Sequence, residues 1–266
     1  MNILVTGAAS GIGLATAQRF ASLGHKVFAL DIKELAVSPG SENIISYVAD
    51  VTREDSVNHV RDEILNTGAT FDAIICVAGI HTMASLVEED FDIIKRVIDV
   101  NLCGTMLVCR KFHPLLKGDG RIIIVTSEVA SYSPLPFNGL YNLSKVALDS
   151  YAEALRQELN LIGQRVITVR PGATKTPLEA SSANSTEALA KKTVLYKKQA
   201  KHFTYFVSKF TGKPLPPEKI AALIYRAATK KRPRTAYSKN RHIGLVLLSL
   251  LPHSLQCRII KALLNR

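Results

Sequence analysis

The chain has 266 residues, 47 % of them hydrophobic and 21 % charged, which excludes intrinsic disorder and suits one α/β core. The cysteines, Cys76, Cys103, Cys109 and Cys257, show no CxxC spacing and no histidines at ligand spacing, so no metal centre is expected and the thiols read as reduced. The net charge of +12 is uneven: residues 191–266 hold 18 Lys and Arg against one acid, Glu218, for +17, while residues 1–190 sum to −5.

Ile3–Thr6 is the first strand candidate. Its position leaves no room for a signal peptide, so a cytoplasmic protein is expected. No apolar run reaches the ~18 residues that cross a bilayer; the longest is Ile243–Leu251. Further strand candidates are Lys26–Leu30, Ile44–Ala49, Ala73–Val77, Arg121–Thr126 and Arg165–Arg170, each short, continuous and rich in Val and Ile. Helix candidates at 11–23, 54–66, 90–117 and 140–162 separate them. Alternating strands and helices predict a doubly wound parallel sheet with helices on both faces. Pro171-Gly172 breaks the pattern, and a polar segment, Leu178–Lys213, precedes a helix at Pro217–Thr229 and a closing strand at Thr235–Tyr237. No repeat or linker is visible, so residues 1–266 read as one domain, with 178–213 as a substrate lid and 238–266 as a basic, amphipathic extension.

Between the first strand and first helix lies Thr6-Gly-Ala-Ala-Ser-Gly-Ile-Gly13. Gly7, Gly11 and Gly13 allow a tight turn and close approach to a pyrophosphate, and the helix N-terminus offers free N–H groups. Ser10 and Ile12 belong to the same cradle. Asp31 ends the second strand, 18 residues after Gly13, where a carboxylate accepts hydrogen bonds from ribose hydroxyls and repels a 2′-phosphate. The two places where an NADP site wants a base hold Ser10 and Ile32, so NAD is favoured over NADP, with Lys33 the one nearby ammonium that could reach such a phosphate.

Tyr141-Asn-Leu-Ser-Lys145 opens a long helix, and residues four apart share one face. A cation beside a phenol favours the phenolate, so a partly desolvated Lys145 together with the positive ring of a nicotinamide is expected to lower the Tyr141 pKa and make it an acid/base for an alcohol or ketone. Ser127, with Thr126 and Ser131 as alternatives, supplies a hydroxyl for the substrate oxygen. Asn101 lies on the neighbouring helix, where a buried amide would need partners such as a bound water leading to Lys145.

These motifs resemble the short-chain dehydrogenase/reductase family in its classical form. TGxxxGxG, Asp50-Val51, Asn101, the serine region, YxxxK and Pro171-Gly172 occur in family order over residues 1–177. The resemblance implies a seven-stranded sheet, Tyr141 as acid/base, Lys145 on the nicotinamide ribose, Asn101 holding a water and Asp50 at the adenine amine. It also implies that Pro171, Gly172, Thr174 and Thr176 wrap the nicotinamide amide. Two positions depart from the pattern. Cys76-Val77-Ala78-Gly79 replaces the usual Asn-Asn-Ala-Gly, keeping only Ala78 and Gly79, and Ser127 stands 14 residues before Tyr141 with a glutamate after it.

In the lid, Val194, Leu195, Phe203, Phe206, Val207 and Phe210 recur among lysines. Such lids and basic extensions resemble those of hydroxysteroid and retinol dehydrogenases, which implies a bulky apolar alcohol or ketone. The alternatives are a 3-oxoacyl-carrier-protein reductase and a non-catalytic cofactor-binding sensor. Apolar residues on more than one face of the helices at 99–117 and 140–162, among them Leu102, Met106, Leu107, Leu148, Tyr151, Leu155 and Leu159, predict a homodimer or homotetramer. No nucleic-acid partner is expected. From His253 to Arg266, Leu255, Ile259, Ile260, Leu263 and Leu264 fall at helical spacing beside bases, which suits packing on the protein itself or a peripheral membrane contact.

Overall fold

The computed structural model describes residues 1–35, 42–210 and 213–265, without the side chains of 207–210. Lid residues Val207 and Phe210, as side chains, and the terminal Arg266 therefore lie outside the described residues.

Seven strands form one parallel sheet: β1 (Asn2–Thr6), β2 (Lys26–Asp31), β3 (Ile44–Val48), β4 (Phe71–Cys76), β5 (Leu116–Val125), β6 (Arg165–Pro171) and β7 (Ala236–Lys239). Their spatial order is β3-β2-β1-β4-β5-β6-β7. Consecutive residues on each strand feed opposite cores. Ile3 and Val5 of β1 pack against α1 (Gly11–Ser22) and α8 (Pro217–Thr229), through Ala17, Phe20, Ile220 and Ile224. Leu4, between them, joins the other core with α2 (Glu54–Asn66), α4 (Gly104–Phe112) and α5 (Gly139–Asn160), through Ile64, Phe112 and Leu148. A sheet covered on both faces needs uninterrupted apolar strands, which is why these read as continuous Val/Ile/Leu runs.

The expected helix at 90–117 is divided. Asp90 caps α3 (Phe91–Ile98) by accepting from Asp92 N at 3.0 Å, a π-helical turn follows at Asp99–Cys103, and α4 ends in a tight turn at His113–Leu115. Pro114 lies in that turn, and β5 starts at Leu116, five residues ahead of the expected strand. The segment Leu178–Lys213 is mostly helical: α6 (Pro177–Lys192) and α7 (Lys197–Phe210). Thr176 caps α6 by accepting from Glu179 N, with Pro177 in the first turn. Two more helices close the chain, α9 (Ile243–Ser249) and α10 (His253–Leu264). Leu264 and Ile260 of α10 pack with Leu189, Phe203 and Phe206 of α6 and α7, so the tail helix uses its apolar face on its own domain.

Candidate active site

Strand order reverses between β1 and β4, and parallel sheets open a crevice at such a switch point beyond the strand C-termini. Here it becomes a continuous cavity of about 990 Å³, running from Asp31 and Asp50 past the glycine loop and Tyr141 to Leu263 in α10.

The glycine loop is packed backbone on backbone. Gly7 has φ +67°, and a Cβ there would meet Ala78 N and Cα at 2.8 Å. At Gly13 a Cβ would fall 1.9 Å from Gly7 O. The Ser10 side chain makes no capping bond to the first turn of α1, leaving that end open to an anion. Ser10, Gly11, Ile12, Asp50, Val51 and Ala78 all line the cavity. The missing family asparagines have a partial replacement: Thr6 Oγ1 accepts from Val77 N at 3.1 Å and Ala78 N at 3.2 Å, tying β1 to β4 below the loop.

Asp31 points at the same loop. Its Oδ2 accepts from Ala9 N at 2.9 Å and its Oδ1 from Lys33 N at 3.0 Å. A carboxylate oxygen has two lone pairs, so both retain acceptor capacity toward the cavity. Asp50 Oδ1 accepts from Thr52 N and Oγ1.

Tyr141 and Lys145 are both buried on the inner face of α5. Lys145 Nζ lies 5.7 Å from the Tyr141 ring centroid and donates to Val125 O at 3.4 Å. The sequence argument has the lysine and a bound nicotinamide together pulling the phenol pKa down, which concerns the coenzyme complex. In the structure burial prevails: it pushes Tyr141 up to about 12 against an opposing hydrogen bond from Ser127, and it brings Lys145 down to about 8. Both groups are buried, and desolvation penalises whichever form is charged.

Of the three hydroxyl alternatives, Ser127 is the one that meets the phenol. Thr126 Oγ1 donates instead to Asp149, which also pairs with Arg170, and Ser131 is exposed. Asn101 is fully buried in the π turn, which swings it inward. Its amide finds partners within the protein. Oδ1 accepts from Ile80 N at 2.7 Å, and Nδ2 donates to Ile80 O and Ser144 Oγ, both at 2.9 Å. Gly79 closes against this group, since a Cβ there would come within 3.2 Å of Asn101 Oδ1 and 3.3 Å of Lys145 Nζ. On the far side Pro171, Gly172, Thr174 and Thr176 line the cavity, and Thr174 Oγ1 donates to Gly172 O.

Sequence reasoning missed three residues of this site. Ser144 bridges Asn101 and the Tyr141 carbonyl, and its place three after Tyr141, on the same helical face, was the available signal. His81 packs its ring 4.2 Å from that of Tyr141, and its Nε2 is 3.0 Å from Asn138 Oδ1. Burial lowers the His81 pKa to about 4, so the ring is neutral. Glu128 is buried beside Ser127, its Oε2 accepting from His242 N at 2.7 Å, and burial raises its pKa.

That bond belongs to a knot at the entrance to α9. Gly172 N donates to Lys239 O, Asn240 Nδ2 to Ala173 O, and Arg241 Nε to the Tyr132 hydroxyl. The C-terminal helices are thus fastened to the loops on both sides of Tyr141. Those helices wall the distal cavity through Leu245, Leu248, Ile259 and Leu263, opposite Met83 and Phe206.

The arrangement can bind a dinucleotide on the backbone of the loop and exchange a proton with an oxygen placed between Ser127 and Tyr141. Comparison with known proteins agrees. Residues 1–187 match the short chain dehydrogenase family. The chain is 33 % identical over 199 residues to an NADPH-dependent 1-acyldihydroxyacetone phosphate reductase of Schizosaccharomyces pombe, covering 73 % of this chain and 67 % of that one. It is 29 % identical over 268 residues to human 17-beta-hydroxysteroid dehydrogenase type 1, covering 93 % and 80 %. Some curated relatives are longer, and the chain spans 44 % of their length. Among solved structures, a short chain dehydrogenase family protein of Francisella tularensis superposes with a TM-score of 0.73 at 26 % identity, over 89 % of this chain and 96 % of that one. The chain belongs to the short-chain dehydrogenase/reductase family and is an oxidoreductase acting on CH–OH groups with a nicotinamide dinucleotide.

Proposed function

We propose that the protein interconverts a secondary alcohol and its ketone with NAD, on a bulky apolar substrate of steroid, retinoid or lipid type. The carrying observation is the distal cavity, whose wall of Met83, Phe206, Leu245, Leu248, Ile259 and Leu263 offers dispersion contacts and few hydrogen bonds. At about 990 Å³ the whole cavity lies at the top of the roughly 300–1,000 Å³ range of small-molecule sites. The likeness to a hydroxysteroid dehydrogenase supports the same reading.

In this reading Gly7–Gly13 and Ala78-Gly79 bind the pyrophosphate side and Asp31 the adenosine ribose. Asp50 and Val51 border the adenine, and Pro171–Thr176 the nicotinamide amide. Lys145 holds the nicotinamide ribose. A nicotinamide held there would supply hydride transfer. Ser127 donates to the substrate oxygen, and Tyr141 takes its proton during oxidation or returns it during reduction. Asn101 acts as a positioning residue, holding the segment at Ile80 and, through Ser144, the first turn of α5. Residues 178–213 serve as the lid and 238–266 complete the pocket, in a cytoplasmic protein with peripheral membrane contact. A screen of steroids, retinoids, sugars and simple secondary alcohols with NAD and NADP tests the reading. Turnover confined to sugars, or to NADP, would overturn it.

NAD preference rests on Asp31. Replacing it with Ala and Ile32 with Arg removes the repulsion and adds a bidentate clamp for a 2′-phosphate. The NADP to NAD ratio of kcat/KM is expected to rise by about 10–100-fold, the worth of one or two charge-assisted bonds. An unchanged ratio would show that Asp31 does not face the ribose.

Self-association belongs to the same reading. Leu148 and Leu159 turn out to be core residues, and Leu102, Leu107, Tyr151 and Leu155 are partly buried against that core. Met106, Leu143 and Val146 are exposed on α4 and α5 and form the apolar surface left for a partner. A dimeric or tetrameric mass by light scattering is expected; a monomeric mass at micromolar concentration would count against pairing.

A further inference from the structure

The helix α9 is apolar on every side. Gly244, Leu245 and Leu248 line the cavity. Ile243 and Leu247 are 70 % and 58 % exposed, and Leu250, just past the helix, is 75 % exposed. A helix apolar all round is normally buried all round, yet the outer side of α9 is bare in the single chain. The helix α10 is different, because Ile259, Ile260, Leu263 and Leu264 are spent on the cavity and on α7, leaving only Leu255 among its large apolar residues exposed.

The charge around α9 indicates what covers it. Lys239, Arg241, Arg258 and Lys261 are exposed in the flanking segments, and no Asp or Glu follows Glu218. A second copy docking through this face would bring these four bases against their own copies with no carboxylate in the flanking segments, which opposes self-pairing. An anionic surface with an apolar interior matches both features at once. No helix among the described residues is long and apolar enough to cross a membrane, so contact would be interfacial.

We propose that the outer face of α9 docks on an anionic lipid bilayer, with Ile243, Leu247 and Leu250 entering the interface and the flanking bases meeting the headgroups. One side of a single helix would then touch lipid while the other lines the substrate cavity. An apolar alcohol could pass from membrane to site with little exposure to water. This docking gives the peripheral membrane contact of the reading above its surface, and the purpose of docking rests on the apolar substrate of that reading.

The test is cosedimentation with phosphatidylglycerol and with phosphatidylcholine vesicles at low and high salt, without coenzyme or substrate. Wild type is compared with an Ile243→Asn, Leu247→Asn double variant, whose fold is checked by thermal melting. Wild type should sediment with the anionic vesicles and be released by salt. The variant should bind at least about tenfold more weakly, having lost two inserting side chains. Equal recovery of wild type in the supernatant with both lipids overturns the proposal. So does binding by the variant as tight as wild type, or a loss of mass in the variant showing that a second copy covers this face. If apolar alcohols are oxidised and vesicles are not bound, docking falls and the substrate reading stands. Vesicle binding with sugars as the only substrates gives the reverse.

Discussion

Tyr141→Phe is expected to lower kcat about 10²–10⁴-fold, the usual worth of a general acid/base, while NADH binding followed by its fluorescence stays unchanged. The phenyl ring keeps its packing 4.2 Å from His81, so the substitution removes little besides the transferable proton. A variant that retains more than about a tenth of the wild-type rate would remove Tyr141 from the chemistry. The two directions should also separate with pH. Burial holds the phenol protonated, with a pKa of about 12 before coenzyme binds. Reduction needs the protonated phenol and should be flat through neutrality. Oxidation needs the phenolate and should rise as pH increases, since a higher pH removes the proton that burial retains.

Gly13→Ala is expected to damage both coenzyme binding and the fold. The added Cβ would sit 1.9 Å from Gly7 O and 2.6 Å from Gly7 C, and backbone cannot swing away as a flexible side chain would. Either α1 retreats from β1 or the loop opens, and both move the loop amides proposed to face a pyrophosphate. Overpacking costs about 1–3 kcal/mol or more, so Tm should fall by roughly 3–10 °C, with little detectable NADH binding. Gly118→Ala is the control, because a Cβ there meets nothing within 4 Å. Equal Tm and coenzyme affinity in the two variants would mean that the loop does not close as described.

The sheet was legible because each strand is a short run of β-branched and aliphatic residues bounded by a helix signal, and both faces of such a strand demand apolar side chains. Tyr141 and Lys145 were legible because the helical repeat places them together without tertiary information. The π turn at Asn101 was not, since one extra residue per turn hardly alters the apolar pattern of 90–117. The two lid helices were hidden for a different reason: Leu189 and Phe203 pack mainly with Met83, Phe137 and Leu264, far away in sequence, so their apolar spacing follows a local groove. Glu128 could be seen only as a departure from a motif, because its partner His242 is 114 residues away. The direction of the Tyr141 shift required knowing that Lys145 is itself desolvated and stands several ångströms from the ring.

The two ends of the cavity are built from different material. The end proposed for the coenzyme is mostly backbone: Gly7 lies against Ala78 and Gly13 against Gly7, with the Thr176 side chain over Gly11. The distal end is side chain, supplied by α7, α9 and α10, and the knot at Lys239–His242 holds it against the loops around Ser127. Backbone shaped for a dinucleotide looks much the same to a small molecule in any protein that binds one, whereas the wall of Phe206, Leu245, Leu248 and Leu263 is made of side chains, which change with sequence. A selective inhibitor would therefore gain its discrimination from the distal wall, competing with the alcohol and leaving the affinity for the coenzyme untouched in steady-state kinetics.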